Sequence, residues 1–319
     1  MSGVAARLVV ADEVRVALAG GRPVVALEST LISHGLPFPA NLEVARAAEA
    51  AVRDGGAVPA TVAIREGRIL VGLPDADLER LATAPAGSVR KAARPSLAAA
   101  VAAGGWAATT VSATMIAAHA TGIRVFATGG VGGVHRGAGS GGSGRSDRSG
   151  AAASFDISSD LEELGRTPVA VVCAGPKSIL DVPATIEVLE TRGVPVVVVG
   201  QDEVPGFLAR WSGVPAPIVA AGIAEAAAIV GTHLELALGS GVLMCVPVPA
   251  ADALSEDVSA AAIERAILEA EAAGVRGPAL TPWLLARVAD LTGGASVRAN
   301  RALIVNNARV GAELARALG

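Results

Sequence analysis

The sequence predicts an α/β fold: a single three-layer αβα sandwich around a mixed, largely buried β-sheet. Short Val-rich runs alternate along the chain with longer segments of helical periodicity, as strands do with crossover helices. Hydrophobic residues make up 52% of the 319 residues and charged residues 18%, so a core of full size can be buried. No repeat and no linker divides the sequence into two cores. We therefore expect one domain over residues 1–319.

The first half of the chain predicts strands and helices in alternation. The apolar run 24–27 is typical of a buried strand that ends at polar residues. Pro39 and Asn41 then open a helix that ends at Asp54, before two glycines. Glu66-Gly67 is a good two-residue hairpin turn. The other elements predicted here are strands at 61–65, 68–71 and 125–127 and helices at 75–83 and 96–103.

The second half predicts two fully covered strands and then a mostly helical end. Continuous β-branched runs at 169–174 and 196–199 are typical of strands that are covered on both faces. The segment 179–191 between them is the expected crossover helix. The remaining predicted elements are helices at 223–232, 255–273, 281–291 and 298–318 and a strand at 241–248.

Charge and cysteine content exclude several classes of protein. The formal net charge of −4 does not suit a nucleic-acid-binding surface. Cys173 and Cys245 lie in apolar runs and suit a reducing compartment better than a disulfide framework. No apolar run reaches the roughly 18 residues of a membrane span, and the first residues lack the apolar centre of a signal peptide. We therefore expect a cytoplasmic protein without nucleic-acid or membrane partners.

The basic residues are unevenly divided, because 24 are Arg and only two, Lys91 and Lys177, are Lys. Arg serves wherever a basic group needs only to be charged and solvated. It cannot be deprotonated in a protein, so it cannot act as an amine nucleophile or form a Schiff base. The two lysines are therefore candidates for amine chemistry, with their survival by chance as the alternative.

Polar residues gather at the ends of the predicted strands, where open α/β sheets bind ligands. Glu28 follows the first of these strands, and Lys177 follows the strand at 169–174. The glycine-rich stretch 128–136 follows the strand at 125–127 and contains Thr128 and His135. Each of these features also has a purely structural interpretation, as a helix cap, a tight turn or a hydrogen-bonded loop histidine.

Two carboxylates and two hydroxyls, at Asp156, Ser158, Ser159 and Asp160, stand just before a helical pattern at 161–165. Either serine is a suitable N-cap, with Asp160 in the first turn. The functional alternative is a site for a hard metal ion or for sugar hydroxyls, since such oxygens suit Mg²⁺ or Mn²⁺. The sequence has no Cys/His cluster, so a zinc site is not expected.

Longer motifs cover nearly the whole chain from about Val24 onward. They are the segments 26–30 with 33–37, 56–63, 109–115, 126–137, 155–160 and 173–181, followed by Asn300 and 306–309. Together they resemble the pseudouridine-5′-phosphate glycosidases, also called pseudouridylate synthases or the indigoidine synthase A-like family. The motifs are long, ordered and unusual, so the resemblance is specific.

The resemblance implies reversible cleavage of the C–C glycosidic bond of pseudouridine 5′-phosphate to uracil and ribose 5-phosphate. It also implies a homotrimer with one divalent cation per subunit, usually Mn²⁺. Lys177 corresponds to the nucleophile that forms an imine with ring-opened ribose, and Glu28 to the proton donor. Asp156 corresponds to the metal ligand. The implied substrate-binding residues are Lys91, Val111 (through its backbone), Thr128, His135, Ser158, Ser159, Asp160 and Asn300.

Two segments depart from the family pattern. After Lys91 the chain reads Ala-Ala-Arg-Pro-Ser where the family commonly has a Ser-Arg-Arg-Asp-type run, which leaves the contacts of this segment open. A Gly/Ser-rich insertion at about 138–154 stands where the family normally has only a few residues. Its composition predicts a flexible loop. We favour a tolerated surface loop over a flap above the substrate.

Two other functions stay open on the sequence alone. A Schiff-base lyase or aldolase acting on another sugar phosphate would share Lys177 and release no uracil. A non-catalytic sugar-phosphate-binding protein, accessory to a pigment pathway, would need no nucleophile, so the survival of both lysines argues against it.

Overall fold

A largely parallel β-sheet forms the centre of the molecule. The computed structural model describes residues 3–136, 156–275 and 280–319. The strands in these ranges are β1 (Leu8–Val10), β2 (Val24–Leu27), β3 (Val58–Arg65), β4 (Arg68–Val71), β5 (Arg90–Ala92), β6 (Ala107–Thr109), β7 (Val125–Ala127), β8 (Val134–His135), β9 (Ala170–Cys173), β10 (Leu180–Asp181), β11 (Val196–Val199), β12 (Ile218–Ala220) and β13 (Val242–Cys245).

Helices connect most of these strands. They are α1 (Asp12–Ala19), α2 (Thr30–Ser33), α3 (Ala40–Asp54), α4 (Asp75–Ala82), α5 (Leu97–Ala103), α6 (Val111–Thr121), α7 (Ser159–Leu164), α8 (Val182–Thr191), α9 (Ile223–Glu235), α10 (Glu256–Ala272), α11 (Leu280–Leu291) and α12 (Ala295–Leu318). None of the helices in the described ranges is long and apolar enough to cross a membrane. The insertion expected at 138–154 lies outside the described residues.

The strand order in the described residues is β1-β4-β3-β2-β7-β9-β13-β11-β12, with β6 beside β3 and β5 beside β6. Neighbouring strands from β3 through β2 to β12 are parallel. The sheet becomes mixed at β3, because the second half of this long strand pairs antiparallel with β4 and β6. The predicted mixed sheet is confirmed.

Helices cover both faces of the sheet, and successive strand residues point to opposite layers. Val25 and Leu27 pack in the core shared with α3, α9, α10, α11 and α12. Val24 and Ala26 pack in the core shared with α1, α6, α7 and α8. Burial on both faces explains the continuous apolar runs in the sequence, and the predicted three-layer αβα arrangement is confirmed.

Local sequence signals fix several element boundaries. Glu66 and Gly67 both have positive φ, 53° and 71°, as a tight hairpin turn between β3 and β4 requires. The crossover helix begins at Val182 and not at residue 179, because Leu180 and Asp181 pair with β8 in a second small sheet. Asp181 then caps α8 by accepting a hydrogen bond from the Ala184 amide at 3.0 Å.

Candidate active site

A cavity of about 140 Å³ lies at the carboxyl ends of the central parallel strands β2, β7 and β9. The loops that leave these strands meet there because parallel strands all end at the same edge. Its walls are formed by Glu28, Thr30, Lys91, Ala93, Thr110, Val111, Gly132, Gly133, His135, Ser158, Ser159, Asp160, Lys177, Leu180 and Thr281. Most of the site residues expected from the sequence therefore line this one cavity.

The buried carboxyl group of Glu28 is held from two sides by hydroxyl groups. The register between β2 and β7 pairs Leu27 with Ala127, so the next residues, Glu28 and Thr128, emerge side by side. The Thr128 hydroxyl donates to Oε1 of Glu28, and the Thr30 hydroxyl donates to Oε2. The carboxyl group is consequently fixed in one orientation at the cavity wall.

Lys177 reaches the cavity from the loop after β9. Gly175 makes the turn with φ of 89°, and a Cβ atom there would lie 2.8 Å from the Pro205 carbonyl oxygen, so only glycine fits. The Lys177 amide donates to the Val131 carbonyl at 3.1 Å, which ties this loop to the glycine-rich loop after β7. The half-buried Lys177 side chain then shares the cavity with Glu28.

Lys91 lines the same cavity from β5. This strand pairs with β6, which in turn pairs with β3. Partial burial of the ammonium group and the positive charge of Lys177 lower the pKa of Lys91, against the opposing effect of Glu28 and Asp160. Lys91 keeps much of its surface exposed, so water screens these charges in part. Both lysines of the chain therefore line one small cavity.

Asp160 connects the N-terminus of α6 to the glycine-rich loop. Its Oδ1 accepts a hydrogen bond from the Ser112 amide at 3.0 Å, and its Oδ2 accepts one from the Gly132 amide, also at 3.0 Å. A carboxylate at a helix N-terminus interacts favourably with the helix dipole. Both oxygens of Asp160 are therefore engaged by the protein backbone, at a residue that the sequence predicts as a substrate contact.

The two serines before Asp160 differ in their partners. Ser158 is the N-cap of α7, because its hydroxyl accepts a hydrogen bond from the Asp160 amide at 3.2 Å. The Ser159 hydroxyl lies 3.3 Å from that of Ser112 on α6. The capping interpretation of this segment is confirmed, and both serines also line the cavity.

The glycine-rich loop is packed too tightly for side chains. A Cβ atom on Gly130 would lie 2.6 Å from the Phe207 ring and 2.9 Å from the Gly175 carbonyl oxygen. A Cβ atom on Gly132 would lie 2.8 Å from Oδ2 of Asp160. The glycines therefore allow close approach between loops, as the sequence interpretation of a tight turn also requires.

Asp156 lies beside His135 and is not among the residues that line the cavity. Its half-exposed carboxylate is 4.0 Å from Nε2 of His135, which does line the cavity. No group of three or more Asp, Glu, His or Cys side chains suited to a metal ion occurs among the described residues. This donor set fits a hydrated divalent cation held by one carboxylate and substrate oxygens, and does not fit a cation enclosed by protein ligands.

Two other expected site residues also stand outside the cavity wall. Thr128 is buried and reaches the site through Glu28. Asn300 lies on α12 with its Oδ1 beside Gly129. Ala93, Thr110 and Thr281 also line the cavity and are not among the site residues predicted from the sequence. Thr30 was missed as well, although its position two residues after Glu28 is a usable signal.

The chain is similar to known proteins over almost its whole length. The sequence model of a family described as "Indigoidine synthase A like protein" matches residues 13–317. A pseudouridine-5′-phosphate glycosidase of Solibacter usitatus is 53% identical over 303 residues, which cover 95% of this chain and 96% of that protein. A pseudouridine-5′-phosphate glycosidase of Paracoccus denitrificans is 50% identical over 311 residues, which cover 98% of each chain.

Two solved structures share the fold over almost their whole length. The prealnumycin C-glycosynthase in complex with ribulose 5-phosphate has a TM-score of 0.86 and 38% identity, covering 98% of this chain and 96% of its own. An indigoidine synthase A-like protein from Thermotoga maritima has a TM-score of 0.84 and 31% identity, covering 99% and 97%. Sequence and structure together show that this chain belongs to the indigoidine synthase A-like family.

Proposed function

We propose that this protein is an enzyme that reversibly cleaves the C–C glycosidic bond of pseudouridine 5′-phosphate to give uracil and ribose 5-phosphate. Relatives about 50% identical over nearly the full length carry the name of this activity. One structural observation supports the proposed chemistry: the amine of Lys177 and the buried carboxyl group of Glu28 line the same cavity. The continuous sheet beneath the site supports one catalytic domain.

The first chemical step opens the sugar ring. A C-glycosidic bond offers no leaving-group oxygen or nitrogen to protonate, so the usual pair of carboxylates is insufficient. The unprotonated Nζ of Lys177 attacks C1′ of the ribose, and the bond from C1′ to the ring oxygen breaks. Glu28 gives its proton to that oxygen, which becomes a hydroxyl group.

The second step releases uracil. The positively charged Lys177 nitrogen first gives a proton to the Glu28 carboxylate, and the lone pair that this frees forms a C=N bond with C1′ as the bond from C1′ to uracil C5 breaks. The electron pair of the broken bond goes to C5, which takes the proton from Glu28 as uracil leaves. Water then adds to the imine carbon, which releases ribose 5-phosphate and the free amine, and the remaining proton returns to Glu28.

The remaining polar groups of the cavity suit the binding of a phosphorylated sugar. Lys91 supplies a second positive charge, and the backbone at Val111 lies at the start of α6, where a helix favours anions. We also propose His135, Ser158, Ser159 and Asn300 as groups that contact or enclose the substrate. Asp156 would hold Mn²⁺, which when bound supplies positive charge for the phosphate. The expected homotrimer is part of this proposal.

The decisive assay follows uracil release from pseudouridine 5′-phosphate in the presence of Mn²⁺, by chromatography with ultraviolet detection. Release of equimolar uracil and ribose 5-phosphate supports the proposal. Consumption of another sugar phosphate without uracil release would favour a Schiff-base lyase or aldolase instead. The absence of any turnover with tight sugar-phosphate binding would favour a non-catalytic binding protein.

Replacing Lys177 tests the nucleophile directly. Lys177→Arg keeps the positive charge and most of the volume but removes the amine that forms the imine. We expect turnover to fall by about 10³-fold or more. Borohydride reduction in the presence of ribose 5-phosphate should label wild-type Lys177 and leave the variant unlabelled, as peptide mass analysis would show. Near-normal turnover of the variant would refute the imine mechanism.

A second function is favoured by one specific observation. The structural relative at 38% identity is named a C-glycosynthase and was solved with ribulose 5-phosphate. A site of the same architecture that joins a sugar phosphate to an acceptor other than uracil would use the same nucleophile in the opposite direction. Incubation with ribose 5-phosphate and either uracil or an aromatic acceptor distinguishes the two, because only the preferred acceptor is consumed.

A further inference from the structure

The two oxygens of the Glu28 carboxyl group are held in different environments. Thr128, which donates to Oε1, is only 2% exposed and does not line the cavity. Its own backbone is fixed on both sides, since its amide donates to Val172 and its carbonyl accepts from Nδ2 of Asn307 at 2.8 Å. Thr128 is therefore a rigid anchor for Oε1.

Thr30, by contrast, lines the cavity together with Glu28. It is the first residue of the short helix α2. Ser29 holds the cap position of that helix without a side-chain capping hydrogen bond, and the Thr30 hydroxyl has no part in capping it. The Thr30 hydroxyl donates to Oε2 of Glu28. Oε2 is consequently the oxygen on the cavity side, where the ring oxygen of a bound sugar would take the proton.

We propose that Thr30 is a positioning residue for proton donation by Glu28. The inference rests on the proposed function, and it assigns different roles to the two oxygens of Glu28. Oε1 lies against Thr128, which does not line the cavity, so the transferable proton resides on Oε2, beside the cavity-lining Thr30. As that proton leaves, negative charge develops on Oε2, and the Thr30 hydroxyl donates to it.

This hydrogen bond strengthens during the reaction, because a charged acceptor binds a donor more strongly than a neutral one. An interaction that is stronger in the transition state than in the ground state raises kcat and leaves KM nearly unchanged. Hydrogen bonds to charged groups are worth enough for a loss of about 10- to 100-fold in kcat when the donor is removed.

The test compares Thr30→Val with Thr30→Ser in the uracil-release assay. Valine keeps the shape of threonine and removes the hydroxyl, whereas serine keeps the hydroxyl. We expect Thr30→Val to lose about 10- to 100-fold in kcat with KM changed by less than about 3-fold, and Thr30→Ser to recover most of the loss. Thr191→Val is the matched control, because the exposed Thr191 hydroxyl bonds only to the Glu187 carbonyl of its own helix, and it should behave as wild type.

A double variant asks whether Thr30 acts through Glu28. In a Glu28→Gln background there is no acidic proton to position, so adding Thr30→Val should change kcat by less than about 3-fold. Equal losses in both backgrounds would overturn the proposal, as would a rise in KM at constant kcat, which would make Thr30 a simple substrate contact. If wild-type protein releases no uracil, the proposed function fails and not the role of Thr30 alone.

Discussion

Replacing Asp160 by asparagine should destabilise the fold, because this carboxylate joins helix α6 to the glycine-rich loop through backbone amides. The side chain is 6% exposed, and its oxygens each accept an amide hydrogen bond at 3.0 Å, from Ser112 and from Gly132. Asparagine keeps one acceptor oxygen and turns an NH₂ group toward the other amide. One buried N–H then loses its partner, which costs about 1–3 kcal/mol.

The loss of negative charge at the N-terminus of α6 adds about 0.3–1 kcal/mol. We therefore expect Asp160→Asn to lower the free energy of unfolding by about 1–4 kcal/mol. The measurement is equilibrium urea unfolding followed by circular dichroism. Asp257→Asn is the control, because Asp257 is exposed in the first turn of α10 and its replacement should cost no more than about 1 kcal/mol.

Unchanged stability of Asp160→Asn would refute this reasoning. That result, combined with a large rise in KM for pseudouridine 5′-phosphate, would make Asp160 a substrate contact with no structural role. Lost stability with an unchanged KM would instead make the backbone contacts its main task.

Two further predictions concern charged groups. Asp156→Ala should weaken Mn²⁺ binding with the fold intact, because one oxygen ligand is lost from a site completed by water and substrate. Titration with Mn²⁺ followed by electron paramagnetic resonance measures the affinity. An unchanged affinity would show that Asp156 is not a ligand. Hydrogen bonds from Arg287 and then Arg265 lower the pKa of Glu269 from 4.5 to about 2. A carboxyl pKa that is lower in the folded state stabilises that state at every pH above the pKa of the unfolded chain. The stability advantage of wild type over Glu269→Gln should therefore be complete above pH 4.5 and disappear as the pH falls toward 2. Urea midpoints of the two proteins across this range provide the measurement, and a difference independent of pH would contradict the prediction.

The sequence predicts the centre of the sheet well because strands buried on both faces carry an unambiguous signal. The Val-rich runs at 169–174 and 196–199 contain β9 and β11. The helix α6 was not predicted, since seven of its residues are buried and no polar face marks a helical period. The start of β3 was missed for another reason: Pro59 lies inside the strand, where proline normally argues against strand structure.

Short strands were also missed where their residues carry little β propensity. β5 and β6 have three residues each, with Ala in both, and alanine is depleted in strands. β5 exists because it pairs with β6, a contact between residues 17 positions apart. Such pairing depends on the tertiary fold and leaves no local trace in the sequence.

The site was predictable to a different degree at each residue. The scarcity of lysine pointed to Lys91 and Lys177 from composition alone, and both line the cavity. Glu28 was indicated by its position at the end of a predicted strand, and the family motifs supplied its expected role as proton donor. They did not indicate that both oxygens of Asp160 bond to backbone amides, because that arrangement depends on how α6 and the glycine-rich loop meet.

The C-terminal helix α12 determines when, during synthesis, the carboxyl group of Glu28 is fixed in position. Asn307 on this helix holds the carbonyl groups of Thr128 and Gly129, almost 180 residues earlier in the chain. Thr128 in turn orients Glu28. The ribosome makes α12 long after the segments that contain Glu28 and Lys177, so a nascent chain holds both side chains before Thr128 is anchored. In the proposed mechanism, proton donation by Glu28 therefore waits until α12 has docked.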